Sequence, residues 1–213
     1  MASIDGHEYV EIGGVKWATM NIGASTISDP GLYFQWGSTA GYTSGQCGSN
    51  STSYKKPFSW GDYKFCNTTG TTAPGTTGLS KYNSTDKESK LILDECDDMA
   101  RANWGCNWRM PTTDEFAALG AATTSAWTQV NGVNGMMLTD KTDSTKTLFF
   151  PAAGYCGNGS FYNGGRYGYY WSSSLYSSNV QYAYYLYFYN GRVYWQYDSS
   201  RCNGFSVRGV VGE

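Results

Sequence analysis

Apolar and polar positions alternate along the first segments of the chain and later change period. Residues 8–22 read as two short strands around the turn Gly13-Gly14, with Val15, Trp17 and Thr19 alternating with Lys16 and Ala18. The stretch Gly31-Leu-Tyr-Phe-Gln-Trp-Gly37 is a further aromatic strand candidate, and residues 38–85, dominated by Gly, Ser, Thr and Asn, read as a long irregular segment. A helix is expected from Thr85, with Thr85 and Glu88 as a capping box and Leu91, Ile92, Cys96, Met99 and Ala100 as its apolar stripe. The acidic run from Asp94 to Asp98 would be its polar side. A second helix is expected after Pro111, capped by Thr112 with Glu115, and turning Phe116 and Leu119 to the core. From residue 126 onward Gly and Asn punctuate short strands only. The order predicts an α+β fold in one domain, residues 1–213, with two helices packed on mainly antiparallel strands.

The segment Tyr184 to Tyr197 contains Asn190-Gly191, the strongest two-residue hairpin signal, since a type I′ turn needs positive φ at both positions. A hairpin turning there pairs Tyr189 with Arg192, Phe188 with Val193, Tyr187 with Tyr194, Leu186 with Trp195 and Tyr185 with Gln196. One face then holds Tyr184, Leu186, Phe188, Val193 and Trp195 and is expected to be buried. The other holds Tyr185, Tyr187, Tyr189, Arg192, Tyr194 and Gln196 and lacks any aliphatic residue. Such rings offer contact area while their polar tips tolerate water.

Composition widens that picture. Aromatic residues make up 17% of the chain, with 19 Tyr, and charged residues 15%. This is the reverse of a disordered chain, which is poor in rings and rich in charge. No apolar run is long enough for a membrane helix. With 15 Lys+Arg against 17 Asp+Glu, no nucleic-acid partner is expected. From Gly157 to Cys202 there is no Lys, Glu, Met or His, and Tyr, Ser, Asn and Gly dominate. That is the vocabulary of an antibody paratope, in which Tyr and Arg anchor and small polar residues adapt.

Chemistry is sparse. The one histidine, His7, reads as a surface residue on a polar turn, which leaves no base for a Ser-His-Asp or Cys-His site. The six cysteines show no C-x-x-C spacing and read as mostly free thiols in a protein made in a reducing compartment. No signal peptide is visible at the start of the sequence. Asp140 and Asp143 read as solvated turn residues. The chain is therefore expected not to be an enzyme and to need no metal or cofactor.

Several stretches occur together and in order: Val15-Lys-Trp-Ala-Thr-Met-Asn-Ile-Gly-Ala24, Gly31 to Gly37, Asn107-Trp-Arg-Met-Pro-Thr-Thr-Asp-Glu-Phe116, Gly168-Tyr-Tyr-Trp-Ser-Ser-Ser174 and Gly204-Phe-Ser-Val-Arg-Gly-Val210. Over nearly the whole chain this set resembles the Fibrobacter succinogenes major paralogous domain. It is more closely similar to the variable proteins of diversity-generating retroelements from gut Bacteroidales and their phages. The resemblance implies a C-type lectin fold of the branch shared with formylglycine-generating enzymes, although the copper-binding cysteine pair of that branch's oxidase is not recognisable. It also implies a variable region, at about residues 157–202, rewritten by adenine-directed mutagenesis. The ligand-binding positions implied there are Tyr162, Arg166, Tyr167, Tyr169, Tyr176, Tyr182, Tyr185, Tyr187, Tyr189, Arg192, Tyr194, Gln196, Tyr197, Asp198, Ser199, Arg201 and Cys202. Gln181 and Gln196 depart from the codon restriction of such mutagenesis. The expected partner is a protein or glycan on a cell or phage-host surface, without membrane insertion, and the expected location a phage virion or bacterial cell surface. The alternative is a fixed carbohydrate-binding or structural domain of a bacterial surface protein.

Overall fold

A computed structural model describes residues 2–48, 56–68, 72–85 and 89–212. The chain opens with strands β1 (Ala2–Ile4), β2 (His7–Ile12) and β3 (Val15–Asn21). Gly13 and Gly14, at φ 62° and 79°, make the tight turn between β2 and β3, and Trp17 faces inward with no exposed surface. After a long irregular stretch come helix α1 (Met99–Trp104), strand β4 (Trp108–Arg109) and helix α2 (Thr113–Ala122). The rest is strand: β5 (Thr123–Val130), β6 (Val133–Asp140), β7 (Thr147–Pro151), β8 (Tyr155–Gly157), β9 (Ser160–Tyr162), β10 (Tyr167–Leu175), β11 (Tyr182–Tyr189), β12 (Arg192–Ser200) and β13 (Arg208–Val211). Every paired strand is antiparallel, and the described residues form an α+β fold dominated by sheet.

The sheets run β1-β2-β3-β13-β4, β10-β11-β12, β5-β6-β7 and β8-β9. Strand β13 enters between β3 and β4, so the end of the chain completes the sheet begun at its start. The β10-β11-β12 sheet separates two apolar clusters. On one side lie Trp36, Trp108, Trp171, Phe205, Tyr169 and Tyr185. On the other lie Trp17, Phe116, Leu119, Phe150, Tyr170, Leu186 and Phe188, closed off by α2 and the β5-β6-β7 sheet. Burying a side chain of this size contributes about 1.5–3 kcal/mol.

Helix α2 forms as its sequence predicts. The Thr112 hydroxyl accepts the Glu115 amide, Glu115 accepts the Thr112 amide, and Phe116 and Leu119 are buried. Of the helix expected from Thr85 only the end of its apolar stripe, Met99 and Ala100, is helical, as the start of α1. Residues 86–88, including Glu88 of its capping box, lie outside the described residues. Residues 91–93 instead lie along β10, with Leu175 N–H donating to Leu91 C=O, Leu93 N–H to Ser173 C=O, and Ile92 bridged to Ser174. Leu91 and Ile92 are consequently 46% and 44% exposed. Backbone pairing with a sheet edge has overridden local helix propensity.

The acidic run is not a helix's polar side either. Asp98 is buried and caps α1, accepting the amides of Ala100 and Arg101, and also accepts that of Met110. Asp97, also buried, accepts Lys64, Lys81 and the Tyr82 hydroxyl. The Gly31–Gly37 segment makes isolated bridges from Tyr33 to Tyr42 and from Phe34 to Phe205 rather than a strand, while Phe34 and Trp36 are fully buried.

His7 lies in β2, not on a turn, and its ring stacks on Trp104 at 4.1 Å. Cys66, Cys96, Cys106 and Cys202 are free, while Cys47 and Cys156 form a disulfide. Asp140 and Asp143 fold back on their own turns, accepting Thr142 and Thr145. Among the described residues no helix is long and apolar enough to cross a membrane.

Candidate functional site

The β11-β12 hairpin turns at Asn190-Gly191, but of the two only Gly191 has positive φ, at 89°. Near the turn the register is the expected one: Tyr189 opposite Arg192, Phe188 opposite Val193, Tyr187 opposite Tyr194. A β-bulge between Tyr185 and Tyr187 then sets Tyr197, not Gln196, opposite Tyr185. The pairs Leu186–Trp195 and Tyr185–Gln196 are therefore not formed. Trp195 packs against α2 at Gly120, where an added Cβ would meet the indole at 2.4 Å, and the extra residue falls between Tyr194 and Tyr197. Gln196 leaves the tyrosine face and its Nε2 donates to Asp114 Oδ1 at 3.2 Å. Tyr197 takes its place.

The tyrosine face is a continuous field of rings. Tyr187 lies at its centre, with centroids 6.0 Å from Tyr167, 5.2 Å from Tyr169, 5.7 Å from Tyr189, 5.6 Å from Tyr194 and 5.8 Å from Tyr197. The Arg192 guanidinium lies over the Tyr194 ring at 4.8 Å. At the other end Tyr155 joins Tyr169 to Tyr162, at 4.9 and 5.1 Å. Contacts of this kind contribute about 0.5–1.5 kcal/mol beyond burial and hold each ring in place. Burial raises the hydroxyl pKa of Tyr187, and the neighbouring Tyr167, Tyr189, Tyr194 and Tyr197 raise it further. At neutral pH its hydroxyl is thus protonated and can both donate and accept a hydrogen bond.

The field has depth. Tyr162 and Tyr197 are exposed, at 41% and 46%, and Tyr167, Tyr187, Tyr189 and Tyr194 are half-buried. Tyr169 and Tyr185, expected to bind ligand directly, are buried at 9% and 5%, against Phe205 at 5.2 and 4.8 Å. They floor the field rather than face solvent. Asn163 Nδ2 donates to the Tyr169 hydroxyl at 3.0 Å and fixes that ring. Tyr155 and Phe205 belong to the same layer and were missed by the alternation argument, because neither lies on the hairpin.

The other expected positions scatter. Arg166 is exposed on the turn leading into β10, and Ser199 Oγ accepts from Asn203. Tyr176, Tyr182 and Asp198 lie on the opposite face of the sheet, beside Tyr184, which is half-buried rather than core. Arg201 and Cys202 are not surface contacts. Arg201 is fully buried, donating to the Tyr63 hydroxyl and to the carbonyls of Lys81, Tyr82 and Val180, with its guanidinium 5.0 Å from the Trp36 ring centroid. Burial pushes the Cys202 thiol up to about 12, which leaves it unreactive at neutral pH. Among the described residues no group of His, Cys, Asp and Glu is gathered as a metal site.

The model of a domain of unknown function, DUF8237, matches residues 136–210, from within β6 to within β13. That span contains the whole hairpin sheet. No curated protein and no solved structure matches the chain.

Proposed function

We propose that this chain is a non-catalytic recognition protein, in which residues 1–213 form a single C-type lectin-like domain of the formylglycine-generating-enzyme branch. Its binding surface is the ring field of β10, β11 and β12, diversified by a retroelement of a gut bacterium or its phage. The observation that carries the reading is the division of one tyrosine face into a buried floor and an open front. Tyr169 and Tyr185 are held by Phe205, while Tyr187, Tyr189, Tyr194 and Tyr197 stand outward. A fixed floor lets the front change without loss of the fold, since exposed substitutions usually cost less than about 0.5 kcal/mol. Binding would come from a few ring anchors, so exchanging them exchanges the partner.

The ring field favours a protein ligand over a glycan. Its charged group is Arg192, and it presents no carboxylate with which to bracket sugar hydroxyls. The setting that fits is a virion or bacterial cell surface. The test is to sequence the DNA around the gene. The expected result is a near-copy of the segment encoding roughly residues 155–210, beside a reverse-transcriptase gene, differing mainly where the copy has adenine. An intact locus without such a copy overturns diversification and leaves a fixed binding or structural domain.

A further inference from the structure

We propose that the hairpin sheet carries a second binding patch, on the face opposite the ring field, for the arginine or lysine side chains of a basic segment of a partner protein. Tyr182 and Tyr184 share that face with Asp198, which pairs directly with Tyr184 across β11 and β12. Tyr176, just beyond β10, sets its ring at 87° to that of Tyr184, with centroids 5.3 Å apart, and 6.5 Å from that of Tyr182. Asp114, exposed in the first turn of α2, reaches the same place and is held there by Gln196. The Tyr184 hydroxyl responds to all of them: burial raises its pKa most, and Tyr176, Asp198 and Asp114 add to the rise.

The chemistry of the patch is incomplete by itself. Neither Asp114 nor Asp198 is in an ion pair with a described residue, and the one side-chain partner of Asp114 is the neutral amide of Gln196. Rings meeting at a right angle, bordered by unpaired carboxylates, attract a cation through both the ring faces and the charge. A guanidinium fits best, since it stacks on a ring while its fork reaches a carboxylate.

The patch is also held in shape. Tyr176 N–H donates to Tyr182 C=O at 3.1 Å and Tyr182 N–H to Asn179 C=O at 2.9 Å, which closes the loop that carries both rings. The buried Arg201 anchors that loop by donating to Val180 C=O at 2.7 Å and, from its backbone, to Gln181 C=O at 3.0 Å. A preorganised patch loses less entropy on binding. This inference goes beyond the ring field and does not depend on its diversification.

The test uses the full chain with isotope-labelled tyrosine rings, titrated with a blocked Gly-Arg-Gly-Arg-Gly peptide and with its Gly-Glu-Gly-Glu-Gly counterpart. Saturable shifts are expected at Tyr176, Tyr182 and Tyr184 with the arginine peptide alone. Each of Asp114→Asn and Asp198→Asn should weaken that binding roughly two- to fivefold, as loss of an exposed charge pair does, and added salt should weaken it too. The Tyr187→Ala variant should bind the peptide unchanged. Absence of shifts at the three rings, equal response to the glutamate peptide, or indifference to both Asn variants overturns the proposal. Because each ring is read separately, those outcomes leave the reading of the Tyr187 field standing or falling on its own test.

Discussion

Tyr185 and Tyr187 lie two residues apart on the same strand, face the same way and are the same residue type, yet one is core and the other half-open. Tyr185 lies 4.8 Å from Phe205, inside the cluster built around Trp171 and Trp36, and is 5% exposed. The rings around Tyr187 among the described residues are those of other tyrosines, and it remains half-exposed. Side-chain alternation therefore assigns a face, while depth along that face depends on what the rest of the chain lays against it. Phe205, arriving from beyond the hairpin, draws the line between floor and front.

The largest effect is expected from removing Arg201, whose guanidinium lies against Trp36 and Tyr63 of the cluster that also holds Tyr185. Arg201→Ala would leave the carbonyls of Lys81, Tyr82 and Val180 without their buried donor, and should cost about 4–5 kcal/mol in chemical denaturation. Little or no loss would mean that water replaces the guanidinium and that the position is free to vary. Next in size, Tyr185→Ala should cost about 3–4 kcal/mol, as for other large aromatic truncations in a core. A value near that of Tyr197→Ala would erase the division between floor and front.

Acid should act on Asp97 and spare the front. Burial alone would raise the Asp97 pKa, but hydrogen bonds from Lys64, Lys81 and Tyr82 outweigh it and hold the carboxyl below its ordinary value of 3.8. Its contribution is thus present above pH 3.8 and is lost as pH falls through the depressed pKa. The Tyr187 hydroxyl titrates only far above neutrality, so ring signals of the front should hold steady from pH 8 to 4, while thermal stability drops below about pH 4. An Asp97→Asn variant should flatten that drop. The smallest effect is expected at Tyr197→Ala, below about 1 kcal/mol by differential scanning fluorimetry, since the ring is 46% exposed. A large loss there would show that the front, too, is structural.

Some of this arrangement is legible in the residues. The β2-β3 hairpin at Gly13-Gly14, the Thr112–Glu115 box of α2 and the pairing of Tyr187 with Tyr194 follow from local patterns that tertiary context leaves untouched. The bulge that exchanges Gln196 for Tyr197 was not legible. It turns Gln196 toward Asp114, a residue of a helix far away in sequence, to which its amide donates. The expected helix is likewise missing at residues 91–93, since the edge of β10 offers their backbone partners that a helix would have to forgo. Arg201 and Cys202 were read as surface from their place in a polar, tyrosine-rich stretch. Nothing local marks a guanidinium whose partners are carbonyls of Lys81, Tyr82 and Val180.

Local patterns thus fix the α+β class, the hairpin turn and the shared side of Tyr185, Tyr187, Tyr189 and Tyr194, because turn chemistry and the two-residue period of a strand act over neighbouring residues. Packing of the whole chain adds Tyr197 to that side and settles which of these tyrosines reach solvent. It likewise brought Asp114 and Asp198 to the same rings and buried Arg201 as a peg. These outcomes turn on contacts between segments remote in the chain, where close packing and the need to satisfy every buried polar group outweigh local preference.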